Sequence, residues 1–245
     1  MRQPPRNSLD GKVTVITGGT RGIGLALAEA TAGLGSDVAI LDIMEPQVDI
    51  NKLQKRMYRK RDVWKMHFQQ QQKNLGTSTT AGLALDKPFL EYGWEESRRI
   101  LDINVTARQM MEQGSGGSMV MIASMAGHCA IPSQRVSIYG ASKAAIKLLG
   151  RSLGVEMAPH NIRVNTISPG YIATEIPGEL TGLEEIVNRV SPLGRIGQLE
   201  DLTVAVAYLL SEGASYTTGA DIAVNGGLQM VVSDKVIKLH NAFPE

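Results

Sequence analysis

The sequence predicts an α/β domain with a doubly wound, mostly parallel sheet, and three observations predict it. Short β-branched runs alternate with longer segments of helical period along most of the chain. The strand runs are apolar throughout rather than alternating, as a sheet covered by helices on both faces requires. A glycine-rich turn separates the first strand from the first helix, the local layout of right-handed α/β crossovers with a ligand crevice at their strand ends.

Taken in order, residues 1–10 lack the apolar core of a signal peptide and read as a flexible lead-in. KVTVIT (12–17) is the first strand, and IGLALAEATAGLG (23–35) is a helix with a glycine stop. DVAILD (37–42) is the second strand, SMVMIAS (118–124) a later one, and 138–157 a helix. IRVNTIS (162–168), the helix at 199–213 and the strand ADIAVNGG (220–227) complete the pattern. A single domain over 11–230 is expected, followed by a C-terminal extension at 231–245. Met119, Met121 and Met125, in or beside a strand, are expected to pack in the core.

Charge and composition narrow the function classes. Hydrophobic residues make up 43% and charged residues 20% of 245, and the net charge is +1. Nothing in that balance draws the chain to nucleic acid or to a membrane. The basic run within 45–80 reads as a solvated helix face rather than a nucleic-acid or acidic-partner patch. Cys129 is the only cysteine, which excludes an intrachain disulfide framework and thiolate zinc clusters and agrees with a reducing compartment. No apolar run is long enough to span a bilayer, so a cytoplasmic protein is expected. His67, His128, His160 and His240 show no metal-ligand spacing; no metal is expected, and the four read as incidental.

Chemistry begins at VTVITGGTRGIG, with glycines at 18, 19, 22 and 24. Glycine lets backbone approach a ligand closely, and the helix that follows offers N–H groups and a positive dipole end to an anion. Gly18, Gly22 and Gly24 form TGxxxGxG, a variant of the Rossmann-type turn that holds a pyrophosphate. Asp42 closes the second strand about twenty residues on, where a carboxylate accepts from an adenosine ribose and repels a 2′-phosphate. Arg21 in the same loop favours that phosphate instead. NAD(H) is therefore favoured and NADP(H) left open.

SIYGASKAA (137–145) sets Tyr139 and Lys143 one helical turn apart. They are either surface neighbours at i and i+4 or a phenol whose pKa a cation lowers for proton exchange.

TGGTRGIG, Asn104, IASMAG, YGASK and SPGYIAT stand in one order on this alternating chain, which resembles the short-chain dehydrogenase/reductase family over most of residues 8–230. The resemblance implies a nicotinamide-dependent oxidoreductase that interconverts a secondary alcohol and a ketone. It implies Tyr139 as proton donor and acceptor, Lys143 on the nicotinamide ribose, Ser124 on the substrate oxygen and Asn104 holding a relay water. Thr20, Arg21, Ile23, Asp62, Val63, Ala81 and Gly82 join the glycines and Asp42 in its cofactor set. Pro169, Gly170 and Ile172 would shape the nicotinamide pocket, and Thr174 would reach the cofactor. LDKPFLEYGWEESRRILDINV and ASYTTGADIAVNGG are most similar to fungal-type polyol and sugar dehydrogenases/reductases, so a sugar alcohol or ketose is the expected substrate. Asn225 stands where the family usually has aspartate.

Two apparent internal deletions set the chain apart, near 63–79 and 105–111. The first removes the apolar strand expected before Gly82, so the central sheet is incomplete unless MYRKRDV or GTSTTAG, both poor strand sequences, supplies a strand by sliding register. The second shortens a helix that in the family makes a dimer contact, which weakens the expectation of a homodimer or homotetramer. The rival expectation is a shortened, catalytically silent relative that binds nucleotide weakly or serves as a non-enzymatic binding protein.

Overall fold

A computed structural model of the chain describes residues 6–42, 57–59, 75–79, 110–131, 134–174 and 183–230. The described strands form one seven-stranded, wholly parallel sheet. They are β1 (Val13–Thr17), β2 (Asp37–Leu41), β3 (Met57–Arg59), β4 (Leu75–Thr79), β5 (Gly117–Ile122), β6 (Ile162–Pro169) and β7 (Asp221–Val224). Their spatial order is β3-β2-β1-β4-β5-β6-β7, so the winding reverses between β1 and β4. The described helices are α1 (Gly22–Gly33), α2 (Ser137–Glu156), α3 (Leu183–Val190) and α4 (Leu199–Leu210).

The central gap expected from the sequence is closed. β4 pairs with β1 from Val13–Leu75 to Thr17–Thr79 and with β5 from Leu75–Gly117 to Thr79–Met121. β3 falls within the other candidate segment and extends the β2 edge. A strand bonded on both sides has its backbone groups satisfied by the ladder, so tertiary context overrides poor side-chain propensity. Of the second stretch, Met110 and Met111 are described, with Met110 fully buried in the core; the other residues around the two deletions lie outside the described ones.

The apolar strands feed two cores, one on each face. Ile16, Val38, Ile40, Val120, Ile122 and Ile167 pack with Leu27 of α1 and Leu202, Val206, Leu209 and Leu210 of α4. Val15, Met119, Met121 and Val164 face the other way and pack with Ile146 of α2. Alternate residues of β5 thus serve opposite cores, as the period of two requires. The methionine expectation holds: Met119, Met121 and Met125 are all buried.

Three boundaries differ from the sequence reading. The lead-in is docked from Arg6 onward: Leu9 is fully buried, its N–H donates to the Leu34 carbonyl at 3.0 Å, and Gly213 N–H donates to the Arg6 carbonyl at 2.8 Å. The last helix stops at Leu210 because Ser211 turns extended and its hydroxyl accepts from Gly213 N–H, opening a short 3₁₀ turn. α3, inside a stretch without a legible pattern, is an additional element.

α2 lies on β6 through glycines. A Cβ at Gly150 would stand 2.5 Å from Thr166 Cγ2, and one at Gly154 would stand 2.8 Å from the Gly219 backbone. Backbone cannot yield as a flexible side chain does. Gly154→Ala is therefore expected to destabilise by about 1–3 kcal/mol in urea denaturation, whereas Gly33→Ala, with nothing within 4 Å of its new methyl, is expected to cost nothing measurable.

Candidate active site

The strands all end at one edge of the sheet, and the candidate residues gather there. Just beyond β1, Gly18 adopts φ +70° and Gly22 φ +53°, a region that favours glycine. Gly19 presses the turn on β2, since a Cβ there would lie 2.9 Å from Ile40 Cγ2. Ile23 packs against the core and Gly24 is buried within α1. Arg21, the extended N-cap, makes no side-chain cap bond, and no acidic residue stands in the first turn of α1. An uncapped, positive helix end behind a side-chain-free turn fits the diphosphate of a dinucleotide.

Asp42 follows β2 directly and is fixed to this turn. Its Oδ2 accepts from Thr20 N–H at 3.1 Å and from the Thr20 hydroxyl at 2.5 Å. Thr20 is itself buried, while Arg21 is exposed. The methyl of Thr174 comes within 3.9 Å of a Gly22 Cβ position, so the segment after β6 closes on the glycine turn. Pro169 and Gly170 sit at the end of β6; a Cβ at Gly170 would meet Asn225 at 2.7 Å. Ile172 bridges to Gly197. Asn225 Oδ1 accepts from Gly227 N–H at 3.0 Å, an acceptor role that an aspartate would also fill.

At the end of β5, Ser124 is the extended N-cap of a 3₁₀ turn, Met125–Gly127, and its Oγ accepts from Ala126 N–H at 3.2 Å. α2 runs against this turn at backbone contact. A Cβ on Gly127 would stand 2.8 Å from the backbone of Lys143 and Ala144, and one on Gly140 would stand 2.8 Å from the Ala126 carbonyl. Two missing side chains let the helix approach, which brings half-buried Tyr139, beside Gly140, close enough to Ser124 for that hydroxyl to act on its phenol. Lys143 is buried, donates to the Ile122 carbonyl at 2.8 Å and places Nζ 5.6 Å from the centre of the Tyr139 ring. Tyr139 and Lys143 are thus neighbours in a largely desolvated site rather than decorations of a surface.

The electrostatics depart from the sequence expectation in one respect. Burial pushes the Tyr139 phenol up, and the nearby Ser124 hydroxyl only partly counters it. The same burial pulls the Lys143 ammonium down to about 8. Desolvation disfavours both charged forms, so in the protein alone the amine does not make the phenol acidic.

Asn104, Asp62, Val63, Ala81 and Gly82 lie outside the described residues. The sequence reading missed Gly140 as the contact glycine, although a small residue inside YGASK was its visible signal. It also missed His128, read as incidental, whose Nε2 lies 2.9 Å from an Asp221 carboxylate oxygen.

With the geometry in place, the chain can be set beside known proteins. A family model described as "Enoyl-(Acyl carrier protein) reductase" matches residues 18–229. A short-chain type dehydrogenase/reductase from Mycobacterium marinum superposes with a TM-score of 0.80 at 33% identity, over 91% of this chain and 97% of that one. The chain belongs to the short-chain dehydrogenase/reductase family. It is by membership an NAD(P)-dependent oxidoreductase. Curated relatives include the NADP-dependent (R)-specific alcohol dehydrogenase of Lentilactobacillus kefiri, 30% identical over 89% of this chain and 97% of its own length. The NADH-dependent L-xylulose reductase of Ambrosiozyma monospora is 32% identical over 91% and 97%. No helix among the described residues is long and apolar enough to cross a membrane.

The depressed lysine gives a signed prediction. Its folded pKa of about 8 lies below the ordinary 10.5, so between those values the unfolded chain holds a proton that the folded one has released. Stability of the unliganded protein relative to Lys143→Met is expected to rise as pH climbs from 8 to 10.5, measured by urea denaturation at stepped pH. A difference that is flat or falls across that window contradicts the buried placement.

Proposed function

We propose that this enzyme interconverts a secondary alcohol of a sugar alcohol with the matching ketose, with Tyr139 exchanging the proton at the substrate oxygen. The observation that carries the reading is the half-buried Tyr139 side chain, beside Ser124 and with the Lys143 Nζ 5.6 Å from its ring centre. A nicotinamide dinucleotide, when bound, supplies or accepts the hydride.

Every other task falls to the chain. The glycine turn and the N-terminus of α1 hold the diphosphate, and Asp42, fixed by Thr20, accepts from the adenosine ribose. An anion in that position repels a 2′-phosphate, which supports NAD(H), as does the similarity to an NADH-dependent relative. Arg21 is the feature that keeps NADP(H) open. In the reducing direction Tyr139 O–H donates its proton to the substrate oxygen while Ser124 holds that oxygen. In the oxidising direction the phenolate takes the proton back. The raised pKa of the free protein keeps Tyr139 protonated at neutral pH, the state that carbonyl reduction needs. Lys143, held by the Ile122 carbonyl, binds the ribose on the nicotinamide side. Support for a sugar substrate comes from the L-xylulose reductase similarity and from the stretches 85–105 and 214–227.

Tyr139→Phe is expected to lower polyol oxidation and ketose reduction by a factor of roughly 10² or more, while NADH fluorescence titration gives an unchanged affinity. Saturable NADH binding without Tyr139-dependent turnover, across a panel of pentitols and hexitols, would favour the silent reading. Absence of saturable binding to NADH or NADPH would overturn the nucleotide site.

A further inference from the structure

Asp221 opens β7 as a buried carboxylate, its side chain only 5% exposed, and it gathers groups from three elements. Oδ1 accepts from the Thr166 hydroxyl at 2.6 Å and the Ser168 hydroxyl at 2.8 Å, both on β6. Oδ2 lies 2.9 Å from His128 Nε2 and 3.7 Å from Lys147 Nζ. Both nitrogens lie within ion-pair range of that one oxygen.

Strand pairing does not need this cluster. The ladder already joins β6 and β7 from Thr166–Asp221 to Pro169–Val224, and a buried carboxylate is a costly substitute for apolar packing. What the cluster recruits is specific. His128 is the C-cap of the 3₁₀ turn whose N-cap is Ser124. Lys147 stands one helical turn beyond Lys143 on α2, and its Nζ also donates to the Gly127 carbonyl at 3.4 Å. Asp221 therefore reaches both elements that bear the catalytic side chains, the Ser124 turn directly and α2 through Lys147.

We propose that Asp221, acting through His128 and Lys147, is a positioning residue that clamps the Ser124–His128 turn against α2 and so sets the approach of Ser124 to Tyr139. The inference rests on the roles given above to Ser124 and Tyr139. Its geometry can be tested without them, because Cys129 is the only cysteine of the chain and follows His128 directly, with Sγ 3.7 Å from the Met125 carbonyl of the same turn. Its reaction rate with an aromatic disulfide reports on the turn independently of catalysis.

The experiment compares Asp221→Asn, His128→Ala and His128→Gln with the wild type in the full-length protein. Asp221→Asn and His128→Ala are expected to lower kcat by roughly tenfold to a hundredfold, with KM and NADH affinity within about twofold, and to speed Cys129 labelling several-fold. His128→Gln, which keeps an N–H donor, is expected to recover part of both losses. Unchanged labelling in His128→Ala and Asp221→Asn overturns the clamp, whatever the activity. Faster labelling with kcat and KM both unchanged overturns the positioning role. A wild type that binds NADH but turns over no alcohol or ketone refutes the proposed function instead, and the labelling comparison still decides whether Asp221 holds the turn.

Discussion

The backbone contact between α2 and the turn after β5 is the constraint on which the rest of the site depends. Gly127 and Gly140 face each other's elements at distances no Cβ could occupy, and this approach brings Tyr139 to Ser124 and Lys143 beneath the end of β5. Further along the same helix, Gly150 and Gly154 settle it on β6 and on the turn before β7. One helix is thus docked along its length by absent side chains, and its N-terminal turn carries the reactive pair. Proximity of this kind is worth more to a reaction than any single contact energy, because misplacement by an ångström is costly.

Close docking also has an electrostatic consequence. Water excluded from the contact cannot solvate a phenolate or an ammonium, so Tyr139 is pushed up and Lys143 down. Two ionisable groups in one desolvated contact are each held toward neutrality. The nearby Ser124 hydroxyl favours the phenolate, and the Ile122 carbonyl gives the buried lysine a partner. Proton exchange by Tyr139 therefore depends on what enters the pocket as well as on Lys143. Around this centre the sheet edge supplies the other half of the crevice, where Asp42 is pinned by Thr20 beside an uncapped helix end.

Much of this was legible in the sequence, for identifiable reasons. Apolar strand runs announced a sheet covered on both faces, and the two cores around Val120 and Met121 show it. The glycine turn, Asp42, Ser124, Tyr139 and Lys143 carried their chemistry in residue type and spacing. β4 was legible only as a weak candidate within GTSTTAG, because LGTST joins the sheet through backbone pairing with β1 and β5, which leaves no mark in side-chain pattern. The sign of the Tyr139 shift was hidden too, since i, i+4 spacing reveals a neighbour but not the loss of solvent. His128 and Asp221 stand ninety-three positions apart, and no local pattern could pair them.

Direct titration of Tyr139 tests the central claim. The absorbance or NMR titration of the unliganded protein, subtracted against Tyr139→Phe, isolates this phenol. The account predicts a pKa above the ordinary 10, and a further rise in Ser124→Ala, where the hydroxyl that favours the phenolate is gone. A value at or below 10 that Ser124→Ala leaves unmoved would contradict both the desolvation of Tyr139 and the contact that produces it.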